Sequence, residues 1–130
     1  MELNLFINYD GDIDDIAEAL SDICSFDPMQ EKTDNADDVK YIFFAFDIRF
    51  AFHKNNIIEN NGVIELSDYN YQLQMTKMHV AEKHKTYTET FNQIARFLTE
   101  KLAYDLGART MLVENLSKVV FSAVPAVART

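Results

Sequence analysis

Aspartates are concentrated near the start of the chain, in the run Asp10-Gly11-Asp12-Ile13-Asp14-Asp15. Aspartate oxygens that follow a strand can bind a hard divalent cation, and an aspartate can also act as a nucleophile in phosphoryl transfer. An EF-hand calcium loop that began at Asp10 would need glycine at its sixth position and glutamate at its twelfth, where this chain has Asp15 and Ser21. We therefore expect these carboxylates to cap a helix and to form a solvated acidic surface.

The other side chains with catalytic or metal-binding potential are few. His79, His84 and Lys85 are residue types that can cleave RNA by general acid-base catalysis, but they are predicted to lie between a strand and a helix. No two histidines have the four-residue spacing that places metal ligands on one helix face. Cys24 has the spacing of the apolar residues of a helix, which predicts a buried and unreactive thiol. We therefore predict that the protein is not an enzyme and that it has no metal or cofactor.

Hydrophobic periodicity predicts the elements that position these residues. Residues 2–8 alternate between apolar and polar side chains as in a half-buried strand, and residues from about 12 to 25 have the spacing of an amphipathic helix. The polar and acidic residues 26–38 predict a loop or a short extra turn. Residues 40–53 alternate throughout, which predicts one long strand whose core-facing side chains are Ile42, Phe44, Phe46, Ile48, Phe50 and Phe52.

The second half of the chain predicts more strands and a second helix. In order, the predicted elements are strand pieces at 57–59 and 63–66, a strand from Tyr69 to about Val80, a helix from Thr86 to Leu106, a final hairpin of 110–114 and 118–124, and a frayed tail at 125–130. Gly107 is a natural carboxyl-terminal cap for the helix. The order β-α-β-β-(β)-α-β-β predicts a single α+β domain over residues 1–130. We expect an antiparallel or mixed sheet of about five to six strands, with both helices on one face and an order compatible with a ferredoxin-like fold.

An aromatic patch is predicted on the face of the sheet that points away from the helices. Its members are Tyr41, Phe43, Tyr69 and Tyr71. Such a patch is either covered within the chain or forms a protein interface, for example in a homodimer.

The charge of the chain is distributed unevenly. The net charge is −9, from 21 acidic and 12 basic residues. Residues 1–38 contain twelve acidic residues and one basic residue, a net charge of −11, whereas the remainder has nine acidic and eleven basic residues. This concentration of negative charge excludes nucleic acid and anionic membranes as expected partners, because both would be repelled.

With no signal peptide and no apolar run long enough to span a membrane, we expect a cytoplasmic protein.

The acidic end of the chain is therefore our candidate partner-binding surface. Its predicted contact residues are Asp10, Asp12, Asp14, Asp15, Glu18, Asp22, Asp34, Asp37 and Asp38. In size, charge and general architecture the chain resembles bacterial toxin-immunity proteins as a class, which implies binding and neutralisation of a basic partner such as a nuclease toxin. The alternatives are an oligomeric accessory or regulatory subunit, and a small metal-dependent enzyme that uses Asp10 and Asp12.

Overall fold

The chain folds around one antiparallel sheet. The computed structural model describes residues 2–24, 29–31, 40–55, 68–78, 85–114 and 118–124. Their elements are β1 (Glu2–Asn8), α1 (Ile13–Cys24), β2 (Met29–Glu31), β3 (Lys40–Ala45), β4 (Ile48–Lys54), β5 (Tyr71–Lys77), α2 (Lys85–Leu106), β6 (Arg109–Glu114) and β7 (Lys118–Ala123). The strand order is β2-β3-β4-β5-β1-β6-β7, and every neighbouring pair is antiparallel.

Strand β1 lies at the centre of the hydrophobic core. It pairs with β5 on one side and with β6 on the other, so that Leu5 is opposite both Leu73 and Leu112. The side chains of Leu3, Leu5 and Ile7 are buried on the same face because alternate residues of a strand point to the same side. That face packs against buried side chains from both helices, namely Ile16 and Leu20 of α1 and Phe91, Ala95, Leu98 and Leu102 of α2. The predicted α+β class, with both helices on one face, is confirmed.

The middle of the sheet has the order β6-β1-β5-β4. Helix α1 follows β1, and α2 connects β5 to β6. Strands β1 and β4 therefore run parallel with β5 between them, an order compatible with the ferredoxin-like arrangement. Strands β2 and β3 extend this sheet at one side and β7 extends it at the other.

The prediction of one long strand over residues 40–53 is wrong, because these residues form the hairpin β3–β4. Phe46 and Asp47 both have positive φ, 56° and 58°, the backbone of a two-residue turn that matches the twist of the strands. The turn reverses which alternate residues face the helices. Ile48, Phe50 and Phe52 are buried as predicted, whereas Phe44 and Phe46 are 51% and 58% exposed. Periodicity did not reveal the turn because apolar residues occupy both alternating sets and neither turn residue is glycine or asparagine.

The predicted outward patch of Tyr41, Phe43, Tyr69 and Tyr71 is wrong for every member except Tyr69. The same turn explains the error at Tyr41 and Phe43, whereas Tyr71 lies on the core face of β5 with Leu73 and Met75. Phe43 and Tyr71 are buried in the core beneath the helices, and the Phe43 ring stacks on Phe50 with centroids 4.5 Å apart. Tyr41 packs against the same core and stacks on Phe52, with centroids 4.8 Å apart. Tyr69 contacts Phe6 edge-on in a smaller cluster.

Three further outcomes concern the connections and the end of α2. Strand β2 falls inside residues 26–38, which were predicted to be a loop or a short extra turn, and it pairs with β3 so that Met29 is opposite Ile42. The predicted strand pieces at 57–59 and 63–66 and the tail at 125–130 lie outside the described residues. At the end of α2, Gly107 has φ +63° and the amide of Ala108 donates to the carbonyl of Ala103 at 3.1 Å, which confirms the predicted glycine cap.

Candidate functional site

The acidic residues of α1 lie on its exposed side. The side chains of Ile16, Ala17 and Leu20 are buried against the sheet, and this spacing leaves the polar positions between them facing outward. The exposed carboxylates of the helix are Asp14, Asp15, Glu18 and Asp22, and those of the preceding turn are Asp10 and Asp12. Asp34, Asp37 and Asp38 lie outside the described residues.

Three tyrosine hydroxyls fix the start of α1. Tyr41 on β3 donates a hydrogen bond to Oδ1 of Asp14. Tyr9, just after β1, donates to Oδ2 of Asp15 at 2.8 Å. Tyr71 on β5 donates to the backbone carbonyl of Gly11, also at 2.8 Å. Tyr41 and Tyr9 therefore hold the first turn of the helix, and Tyr71 holds the turn that precedes it.

The hydrogen bonds and charges around these tyrosines keep their hydroxyls protonated. The hydrogen bond to Asp14 raises the pKa of Tyr41 to about 12, with burial and the negative charge of Asp14 adding to the effect. The hydrogen bond to Asp15 is likewise the largest cause of the raised pKa of Tyr9. Burial is the main cause of the raised pKa of Tyr71. Each phenol therefore stays protonated, and so remains a donor to the acidic turn, to a higher pH than an ordinary tyrosine.

Asn70 holds the backbone between β1 and the acidic turn. Its side-chain oxygen accepts from the amide of Tyr9 at 3.0 Å, and its side-chain nitrogen donates to the carbonyl of Tyr9 at 2.5 Å. Asn8 donates to the carbonyl of Asp68 at 3.0 Å, which adds a further bond between the same two segments. These contacts position Tyr9 and so support its bond to Asp15.

A groove of about 410 Å³ runs between the two helices, and we call it the acidic groove. Its lining comprises Asp15, Glu18, Ala19 and Asp22 from α1 and Tyr104 and Asp105 from α2. Four carboxylates therefore face one open concavity, where they can attract and hydrogen-bond cationic groups. Asp10, Asp12 and Asp14 were predicted to be contact residues, but they are not among the described residues that line it.

The contribution of α2 to this groove was missed by sequence reasoning. Tyr104 and Asp105 are separated from α1 by eighty residues of sequence, and only the packing of α2 beside α1 brings them together. One signal was available, since Tyr104 falls outside the helical spacing of the buried residues Ala95, Leu98 and Leu102.

A second, more apolar pocket lies beside the acidic groove on α2. It measures about 230 Å³ and is lined by Phe97, Glu100, Lys101 and Tyr104. Phe97 is 56% exposed and Tyr104 is 68% exposed. The ammonium of Lys101 lies 3.1 Å from Oδ1 of Asp105 and 5.8 Å from the centroid of the Tyr104 ring. Tyr104 lines both concavities, so this aromatic pocket lies next to the acidic groove.

The remaining candidates for chemistry are metal-ligating side chains, Cys24 and the histidines. No three His, Cys, Asp or Glu side chains there are arranged to hold a metal ion. Burial raises the pKa of the half-buried Cys24 thiol, as expected for an unreactive cysteine. His53 contacts the carbonyl of Lys54 through Nδ1 at 2.7 Å, while His79 and His84 lie outside the described residues. Neither described helix is long and apolar enough to cross a membrane.

Comparison with known proteins adds no relative from which a function could be transferred. The chain matches no protein-family model, no curated protein and no solved structure. The arrangement of charge and aromatic side chains on α1 and α2 is therefore the basis for a functional interpretation.

Proposed function

We propose that this protein binds a basic protein partner and neutralises its activity, with the acidic groove as the contact surface. The observation that carries the proposal is that Asp15, Glu18 and Asp22 of α1 and a carboxylate of α2 line one open concavity. Carboxylates held together in this way create a concentrated negative potential that attracts cationic side chains. The exposed carboxylates of Asp10, Asp12 and Asp14, at the start of the same helix and in the turn before it, add to that potential.

A nuclease-type toxin fits this surface best, which makes a bacterial immunity or inhibitor protein our preferred identity. A nuclease must attract the phosphates of its substrate, so its active cleft is cationic. The carboxylates of an inhibitor can occupy such a cleft in place of phosphates. Binding would exclude the nucleic acid without any chemical step on the side of the inhibitor.

The rigid attachment of α1 supports this role. A preorganised surface loses less conformational freedom on binding than a mobile one, so more of its electrostatic attraction remains as affinity. Tyr41 and Tyr9 donate hydrogen bonds to Asp14 and Asp15 and anchor the amino-terminal turn that leads into the acidic groove.

The partner to test is the protein encoded by the neighbouring reading frame, and association rates are the most informative measurement. We expect Glu18→Lys to slow association by about 3- to 10-fold at low salt, because it reverses one charge in the acidic groove. Glu89→Lys is the matched control. It makes the same charge change at an exposed position of α2, fifteen residues before Tyr104 or about 22 Å along the helix.

Three measurements test the proposal: the nuclease activity of the partner, the salt dependence of association, and the comparison of Glu18→Lys with Glu89→Lys. Addition of the protein should abolish the nuclease activity of the partner, and association should become slower as salt is raised from about 50 to about 200 mM, because salt screens exposed charges. The proposal fails if the partner retains its activity in the complex. It also fails if Glu18→Lys and Glu89→Lys have equal effects, or if association is independent of salt.

A further inference from the structure

Helix α2 presents an exposed aromatic face beside the acidic groove. Phe97 and Tyr104 are seven residues apart, which places them on the same side of the helix about 10 Å from each other. More than half of each side chain is exposed, although aromatic residues of this size usually contribute to a core. The pocket between them is lined by the rings together with Glu100 and Lys101.

Lys101 shows where a cation can be placed on this face. Its ammonium approaches the Tyr104 ring at 5.8 Å from the centroid, within the range of a cation–π contact. The same ammonium is 3.1 Å from a carboxylate oxygen of Asp105. A ring and a carboxylate that hold one cation within the chain offer the groups that an incoming guanidinium needs.

We propose that Tyr104 and Asp105 form a guanidinium subsite that receives an arginine side chain of the basic partner, an inference that rests on the function proposed above. The acidic groove supplies the charge complementarity, and Tyr104 connects it to the aromatic pocket. A planar guanidinium stacks on an aromatic face and bonds a carboxylate through two N–H groups, whereas an ammonium is a compact, strongly hydrated charge. The subsite therefore selects arginine over lysine.

Lys101 competes with the arginine for this subsite. In the free protein its ammonium contacts the ring of Tyr104 and one carboxylate oxygen of Asp105. The incoming guanidinium must displace it, and the positive charge of Lys101 opposes that approach. Replacement of Lys101 by the neutral glutamine should therefore strengthen binding of arginine, beyond the general effect of removing one positive charge.

The test uses two peptides of equal charge, nona-arginine and nona-lysine, titrated calorimetrically into the full chain at low salt. We expect nona-arginine to bind more tightly than nona-lysine. Tyr104→Ala should weaken the binding of nona-arginine by about 2- to 5-fold more than it weakens the binding of nona-lysine, because an exposed cation–π contact has about this effect on affinity. Tyr104→Phe keeps the ring and should retain the preference. Lys101→Gln should strengthen nona-arginine more than nona-lysine.

The outcomes separate this inference from the proposed function. If both peptides bind with equal affinity and Glu18→Lys weakens both, the acidic groove binds cations and the guanidinium subsite is refuted. An arginine preference that survives Tyr104→Ala also refutes it. If neither peptide binds, both proposals fail. Because the Tyr104 side chain is mostly exposed, Tyr104→Ala should fold normally, and circular dichroism checks this.

Discussion

The hydroxyl of Tyr41 donates a hydrogen bond to Asp14, which joins strand β3 to the first turn of α1 across 27 residues of sequence. The ring of the same tyrosine stacks on Phe52 with the two planes inclined by 8°. One side chain thus links the packing of the β3–β4 hairpin to the position of the helix that carries the acidic groove.

Tyr41→Phe should lower the stability of the fold. The phenylalanine ring can keep the stacking on Phe52, so the change isolates the hydrogen bond to Asp14. We expect the free energy of unfolding to fall by about 0.5–1.5 kcal/mol, the usual net contribution of one hydrogen bond. Urea unfolding provides the measurement. Tyr104→Phe, at a mostly exposed position, is the control and should change stability little.

The stability of the protein should depend on pH in the alkaline range through Tyr41. The pKa of Tyr41 is raised to about 12 in the folded protein from an ordinary value of 10.0. The unfolded chain therefore loses this proton first, and rising pH favours unfolding. The contribution of Tyr41 is fully present below about pH 10 and is lost as pH rises through about 12.

Urea unfolding of the wild-type chain and Tyr41→Phe over this pH range tests the effect. The difference in stability between them should shrink as pH rises above about 10. Tyr9 and Tyr71 also have raised pKa values and contribute to the alkaline loss in both proteins, so only the difference reports on Tyr41. A constant difference across the range would contradict the assignment.

Gly11→Ala should displace the ring of Tyr9. A Cβ atom at Gly11 would lie 2.6 Å from Cε2, Cζ and the hydroxyl oxygen of that ring, which is too close for any real contact. The ring must move and its hydrogen bond to Asp15 is lost, at a cost of about 1 kcal/mol. Thermal unfolding of Gly11→Ala in the wild-type and in the Tyr9→Ala background measures the coupling. Equal costs in both backgrounds would show that the Tyr9 ring is not the obstacle.

Phe46→Asn should stabilise the β3–β4 hairpin. Phe46 has φ 56°, a conformation that is strained for an aromatic residue and much easier for asparagine. Because the ring is largely exposed, its removal loses little buried surface, and we expect a net gain of about 0.5 kcal/mol. Phe44→Asn is the matched control, since Phe44 is similarly exposed but lies within β3. It should not stabilise the fold, because asparagine is disfavoured in strands.

Local sequence patterns predicted the elements that depend on near neighbours. Strand β1 and helices α1 and α2 follow from apolar periodicity, which is imposed by the repeat of each element. The Gly107 cap follows from the ease with which glycine adopts positive φ, and the β6–β7 hairpin from two apolar runs separated by a turn. The amphipathic spacing of α1 likewise predicted that Asp14, Glu18 and Asp22 would be exposed. These features need only the residues within one or two turns of each other.

Tertiary structure decided what local periodicity does not encode. Phe46 and Asp47 adopt positive φ although neither is glycine, so the pairing of β3 with β4 must stabilise this backbone conformation. The same turn reverses which aromatic side chains of the hairpin face the helices. The acidic groove likewise required α2 to pack beside α1, which added Tyr104 and Asp105 to carboxylates that are distant in sequence. The sequence by itself determined where negative charge accumulates along the chain. The tertiary structure decided which of those charges line one concavity. That grouping depends on contacts between residues distant in sequence, and such contacts form only when the whole core packs.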